Sequence, residues 1–201
     1  MTGDALDQNS LIAAFKARRT IRKYAGEPVE RTALDQLLWA AQGVTGPNGE
    51  RTAPSAHALH PLAVRVAAQR VSGLETGLYS WSPDTEGLAL LRSGSMASDI
   101  EAAAIGDQPW LGSAAAIVCL SGDTARMDEA FAAQTPAGDH GARFLAMEAG
   151  AATQNMQLMA TSIGLASVPV AGFHDNTLKT VLDLPDTETP LLLFALGYPA
   201  S

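Results

Sequence analysis

One cysteine, Cys119, stands in 201 residues, so no internal disulfide is available. It lies in the apolar run AAAIVCLSG, which reads as a buried strand. A thiol there is a small core hydrophobe rather than a nucleophile. Cations are scarce: 13 Lys and Arg face 21 Asp and Glu, for a net charge of −8. An acidic chain with a pI near 4.8 excludes a general binder of nucleic acid or anionic membrane. No apolar run reaches the length of a membrane span. The N-terminal MTGDALDQNS carries no apolar signal segment, and a cytoplasmic protein is the expectation. No repeat and no linker divides the chain. With 47% hydrophobic and 17% charged residues, it reads as one globular domain, residues 1–201, with a sizeable core.

The few cations that are present crowd together. Lys16, Arg18, Arg19, Arg22 and Lys23 fall in the stretch FKARRTIRKYAG, Phe15 to Gly26, and none follows Lys179. Ser10 is placed to cap a short helix, LIAAFKA, with Leu11, Ala14 and Phe15 on one face. A second helix, RTALDQLLWAAQGV, sets Leu34, Leu37, Leu38 and Ala41 at i, i+3, i+4, i+7. The turn-rich segment Gly43 to Pro61 is too long to be mere connection, and such loops tend to carry function. In it His57 and His60 lack the cysteines or acidic cluster of a metal site, so none is expected. His60 precedes Pro61, which favours an extended backbone and a loop-anchoring role.

Strands are expected at LAVRVAAQRV, twice within GLETGLYSWSPDTEGLALL, and at AAAIVCLS, with a helix at SMASDIEAAAIG between them. The segment GARFLAMEAGAATQNMQLMATSI, about residues 141–163, has no proline and is apolar nearly all round, which predicts a helix buried on every side. Its Gly150, Ala151, Ala152 and Ala160 permit close approach of another helix. Gln154 and Asn155 need polar partners if buried. The strand LASVPVAGF, a short helix after Asp175 and the apolar strand PLLLFALGYP complete the chain. Helices and strands mix without strict βαβ alternation, so the fold class is α+β with a mostly antiparallel sheet.

Four stretches together resemble the FMN-dependent nitroreductase-like family, in the form of its SagB-type dehydrogenase branch. They are RRTIRKY, APSAHALHPLAV, MEAGAATQNMQLMATSIGL and VPVAGF, in that order from about Arg18 to Pro199. The resemblance implies a nitroreductase-like fold, FMN as cofactor, NAD(P)H as co-substrate and a homodimer with flavin sites at the interface. It places Arg18, Arg19, Thr20 and Arg22 on the FMN phosphate and ribityl chain, and forked guanidinium groups suit a phosphate. The alternative for such a cluster is a solvated basic turn at a helix C-terminus, which covers Lys16 and Lys23. It brings Pro54, Ser55, Ala56 and His57 from the partner subunit, although the branch has Gly where His57 stands. It lays Pro169, Val170, Ala171 and Gly172 against the flavin, with a backbone N–H at N5 and a Gly172 that lets the backbone approach closely.

Two departures shape the functional expectation. The Lys-Tyr pair of azoline oxidases is missing, because Thr135, Pro136 and Ala137 precede the turn GDHG at Gly138 to Gly141. Where many nitroreductases have Glu, this chain has Ala171. The expected activity is hydride transfer from NAD(P)H through flavin N5 to a nitroaromatic or quinone-like acceptor, by ping-pong turnover. No side-chain acid or base is motivated. The alternative is a flavin-binding carrier or non-catalytic partner in a biosynthetic complex.

Overall fold

Two helical layers enclose one antiparallel sheet in the computed structural model, which describes residues 8–133 and 140–200. The strands are β1 (Leu62–Ala68), β2 (Gly77–Ser82), β3 (Gly87–Ser93), β4 (Ala116–Asp123), β5 (Ala166–Val170) and β6 (Glu188–Gly197). Their order across the sheet is β3-β2-β1-β4-β6-β5, and every neighbouring pair is antiparallel. The helices are α1 (Gln8–Ala17), α2 (Arg31–Gln42), α3 (Ala97–Ala103), α4 (Trp110–Ser113), α5 (Thr124–Phe131), α6 (Gly141–Ser162) and α7 (Asp175–Val181). The α+β antiparallel architecture expected from the sequence is the one observed.

Alternation along each strand divides the core in two. Val64, Val66, Val118, Leu120, Phe194 and Leu196 face α2 and α6, meeting Leu34, Leu37, Leu38, Ala152 and Met156. Ala67, Ile117, Cys119, Val168, Leu193 and Ala195 face the other way, onto Ile100, Leu111 and Leu178. Cys119 is fully enclosed, and burial pushes its thiol up to about 12. No described helix is long and apolar enough to cross a membrane.

Several expectations need correction. Ser10 lies inside α1 rather than at its cap. Helix α5 was not anticipated; Asp123 caps it by accepting a hydrogen bond from the Arg126 N–H at 2.9 Å. Helix α6 is not buried on every side in one chain. Leu145, Ala149, Ala152, Met156 and Ala160 are buried against the sheet layer, while Met147 is 66% exposed. The reason is geometric: the sheet, α2 and α5 cover the sides that carry those residues and leave Met147 outside. His60 is not extended; its φ is +47°. Its N–H instead donates to Ser55 Oγ at 2.9 Å, which curls the loop back on itself. Thr135, Pro136, Ala137 and Gly138 lie outside the described residues.

Candidate functional site

The segment after α1 runs along one edge of the sheet. Ile21 N donates to Ser167 O at 3.0 Å, and Ala25 N donates to Tyr198 O at 2.8 Å. Tyr24 pairs with Pro199, and its ring lies against Gly197, where an added Cβ would come within 3.0 Å of it. Burial raises the Tyr24 phenol far above its usual range, with Arg22 beside it pulling the other way. Backbone pairing therefore fixes where the cation cluster sits. Among the described residues, none of Lys16, Arg18, Arg19, Arg22 and Lys23 has an acidic partner. In a chain of net charge −8, that leaves a concentrated positive field without a paired carboxylate among the described residues.

The five cations are not equivalent. Arg19 donates to the carbonyls of Lys16 and Arg18 at 2.9 and 2.8 Å, so it closes the C-terminal end of α1. Arg22 lies over the Trp110 ring, 5.1 Å from its centroid. Arg18 is half-buried and Thr20 is exposed.

Pro169 and Val170 form the end of β5, and Ala171 and Gly172 follow directly. Ser167, which holds Ile21, belongs to the same strand. The arginine segment and the Pro169–Gly172 segment are thus neighbours within one chain. Past the strand end, Gly172 O accepts from Ile105 N at 2.9 Å. A Cβ built on Gly172 would be in van der Waals contact with Gln108 Nε2 at 3.8 Å and with Ile105 at 3.9 Å.

The loop at Pro54, Ser55, Ala56 and His57 lies elsewhere, packed against α6 at Glu148. Ala56 N donates to Oε1 of Glu148 at 2.9 Å, and Glu148 is only 6% exposed. Ala56–Ala58 form a 3-10 turn in which His57 and Ala58 have φ of +51° and +53°. The His57 ring rests on Phe131, 4.7 Å between centroids, and Phe131 rests on Phe144 at 4.4 Å. His60 sits beneath the loop, its Nδ1 buried without a partner. Burial and the nearby Arg51 lower its pKa, and Glu148 opposes them. Asn155 of α6 donates to Thr52 O at 3.1 Å and ties down the start of the loop. Among the described residues, no hydrogen bond, ion pair or ring contact joins this loop to the other two segments.

Residues 15–198 fit the model of the nitroreductase family. The chain belongs to the nitroreductase family. It is 33% identical over 180 residues to a nitroreductase homologue of Methanocaldococcus jannaschii, covering 90% of this chain and 86% of that one. It is 25% identical over 200 residues to the FMN reductase [NAD(P)H] of Bacillus subtilis, covering 96% and 67%. A crystal structure of a nitroreductase homologue of Ralstonia eutropha superposes with a TM-score of 0.82 at 28% identity, over all of this chain and 88% of that one.

In this nitroreductase-family fold three further residues contact the segments described above without having been singled out in the sequence. Glu148 is a carboxylate on the buried flank of an apolar helix, and that mismatch was the available signal. Gln108 and Trp110 gave no such signal, because their contacts to Gly172 and Arg22 span 64 and 88 positions of the chain.

Proposed function

We propose that this chain, a flavin-dependent oxidoreductase of the nitroreductase family, binds FMN between two copies of itself and passes hydride from NAD(P)H to a small nitroaromatic or quinone-like acceptor. The observation that carries the reading is the junction at Ile21 and Ser167. It sets cations without acidic partners beside the backbone of Pro169, Val170, Ala171 and Gly172 in the same chain. FMN, when bound, supplies the chemistry: it accepts hydride at N5 and delivers it to the acceptor.

The chain's own residues do the rest. Arg18 and Arg22 hold the phosphate by charge-assisted hydrogen bonds, with Thr20 beside them as a hydroxyl donor. Arg19 contributes its charge while its N–H groups remain on α1. The Ala171–Gly172 backbone, just past the end of β5, offers a donor at the hydride end. Ala171 puts a small neutral side chain there in place of a carboxylate.

Exposed apolar side chains on α1 and α6 support the homodimer. A cleft of about 430 Å³ runs past Pro54, Ser55, Ala56, Phe144, Met147 and Ala151. A second, of about 460 Å³, lies between α1, α2 and α6 and is lined by Leu11, Ala14, Trp39, Leu158 and Met159 among others. Leu11, Phe15 and Met147 are more than half exposed, an apolar surface suited to a second copy. Such a dimer carries the loop of one subunit to the arginine segment of the other. The name of the Bacillus subtilis relative supports both FMN and NAD(P)H.

The test is a visible spectrum of the purified protein followed by steady-state kinetics. Bound FMN, bleached by NADH or NADPH and restored by a quinone, with parallel double-reciprocal lines, is the expected result. Intersecting lines would contradict turnover through one shared site.

A further inference from the structure

We infer that the turn between α3 and α4 is a brace for the flavin site, with Gln108 and Trp110 as its two positioning residues. The inference rests on the FMN reading above and adds to it the means by which the two ends of the site keep their relation.

At one end, Gln108 Nε2 donates to Ile105 O at 2.7 Å and to Gly172 O at 3.3 Å. Gly172 O also accepts from Ile105 N at 2.9 Å, so one carbonyl has two donors from the same turn. The pairing continues on either side: Ala104 bridges Phe173, and His174 N donates to Ala103 O at 2.8 Å. A Cβ on Gly172 would meet the Gln108 amide at 3.8 Å and Ile105 at 3.9 Å, so the turn lies directly against this glycine. Two donors on the carbonyl fix the peptide plane beyond Gly172 and restrict the backbone just before it, where the hydride-end donor lies.

At the other end, two residues after Gln108, the Trp110 ring carries the Arg22 guanidinium at 5.1 Å. Trp110 packs on the buried cluster of Leu111, Val168 and Leu178, so it is a fixed shelf. Among the described residues Arg22 has no ion pair. A guanidinium held over an indole ring by cation–π attraction needs no hydrogen bond to the protein, so its N–H groups stay available for a phosphate. Holding the long side chain in advance also lowers the ordering cost of binding.

The experiment uses the full-length protein stripped of flavin, titrated with FMN and with riboflavin, which lacks the phosphate. Trp110→Leu is expected to lose about tenfold in FMN affinity and far less in riboflavin affinity, with Trp110→Phe restoring most of the difference. Gln108→Ala is expected to weaken both flavins by the same factor and to shift the midpoint potential of bound FMN. Circular dichroism checks folding, and the Phe variant decides the matter if the Leu variant fails to fold. Variants that match the parent protein in both affinities and in potential would overturn the inference. So would an equal loss of FMN and riboflavin in both Trp110 variants. A parent protein that binds neither flavin would overturn the FMN reading itself, and this inference with it.

Discussion

Residues 18–25 are tied to the sheet by backbone, at Ile21 to Ser167 and at Ala25 to Tyr198, whereas residues 54–60 hang from the side chains of Glu148 and Ser55. The first segment pairs with strands whose register is fixed by a buried face on each side. The second contains three non-glycine residues at positive φ, His57, Ala58 and His60. Each such residue costs roughly 1–2 kcal/mol, so the loop stores strain that its anchors must offset. The contrast teaches that the two arms of the site should fail differently. Damage to the arginine arm removes ligand contacts without disturbing the fold. Damage to the loop arm loosens the loop first and reaches the ligand second.

The largest effect is expected at the arginine arm. Replacing both Arg18 and Arg22 with Ala should lower FMN affinity by about two to four orders of magnitude, at roughly 1.5–3 kcal/mol per charge-assisted contact. Flavin retained after gel filtration reads the loss. Circular dichroism should be unchanged, because neither residue is in the core. Lys23→Ala should behave like the parent protein.

Next comes the shared flank. Met147→Asp puts a charge on the exposed surface of α6, and light scattering should shift from dimer to monomer with loss of flavin. Then the loop anchor: Glu148→Ala leaves the Ala56 N–H without its acceptor and should cost about 1–3 kcal/mol in denaturant unfolding. Glu148→Gln, which keeps an acceptor oxygen, should cost less.

A smaller effect is expected with pH. Burial and Arg51 hold the His60 pKa below its ordinary 6.5. The folded state thus binds fewer protons there than the unfolded state, and its stability should fall as pH drops below about 6.5. Unfolding curves of His60→Gln should lose that part of the acid slope. The smallest change is a gain. Ala58→Gly removes a Cβ from a left-handed position and should stabilise by about 0.5–1 kcal/mol, seen as a higher denaturant midpoint.

The sequence was most legible where a period or a composition carried the signal. Leu34, Leu37 and Leu38 marked α2, and the apolar runs marked β4 and β6. It was least legible where tertiary contact overrides local preference. His60 before proline adopts φ +47° because Ser55 accepts its N–H, a bond within a curled loop that no neighbour rule anticipates. Helix α5 has a short, mixed sequence whose fixed points are a capping Asp123 and two buried residues, Met127 and Phe131. Apolar composition all around α6 described a helix covered on every side, while the sheet, α1, α2 and α5 leave Met147 and Gly150 exposed.

The central claim is that the arginine arm of one subunit and the loop arm of the other build one flavin site. Mixed dimers test it directly. One parent carries Arg18→Ala with Arg22→Ala, and the other carries Ala56→Glu, which intrudes on the small-residue loop; each alone should retain almost no FMN. If the arms come from different subunits, a heterodimer of the two holds one intact site and one doubly damaged site. The account predicts recovery of about one FMN per two chains in the isolated heterodimer. A heterodimer that stays as flavin-free as its parents would contradict it, because arms drawn from the same chain leave no intact site in the mixture.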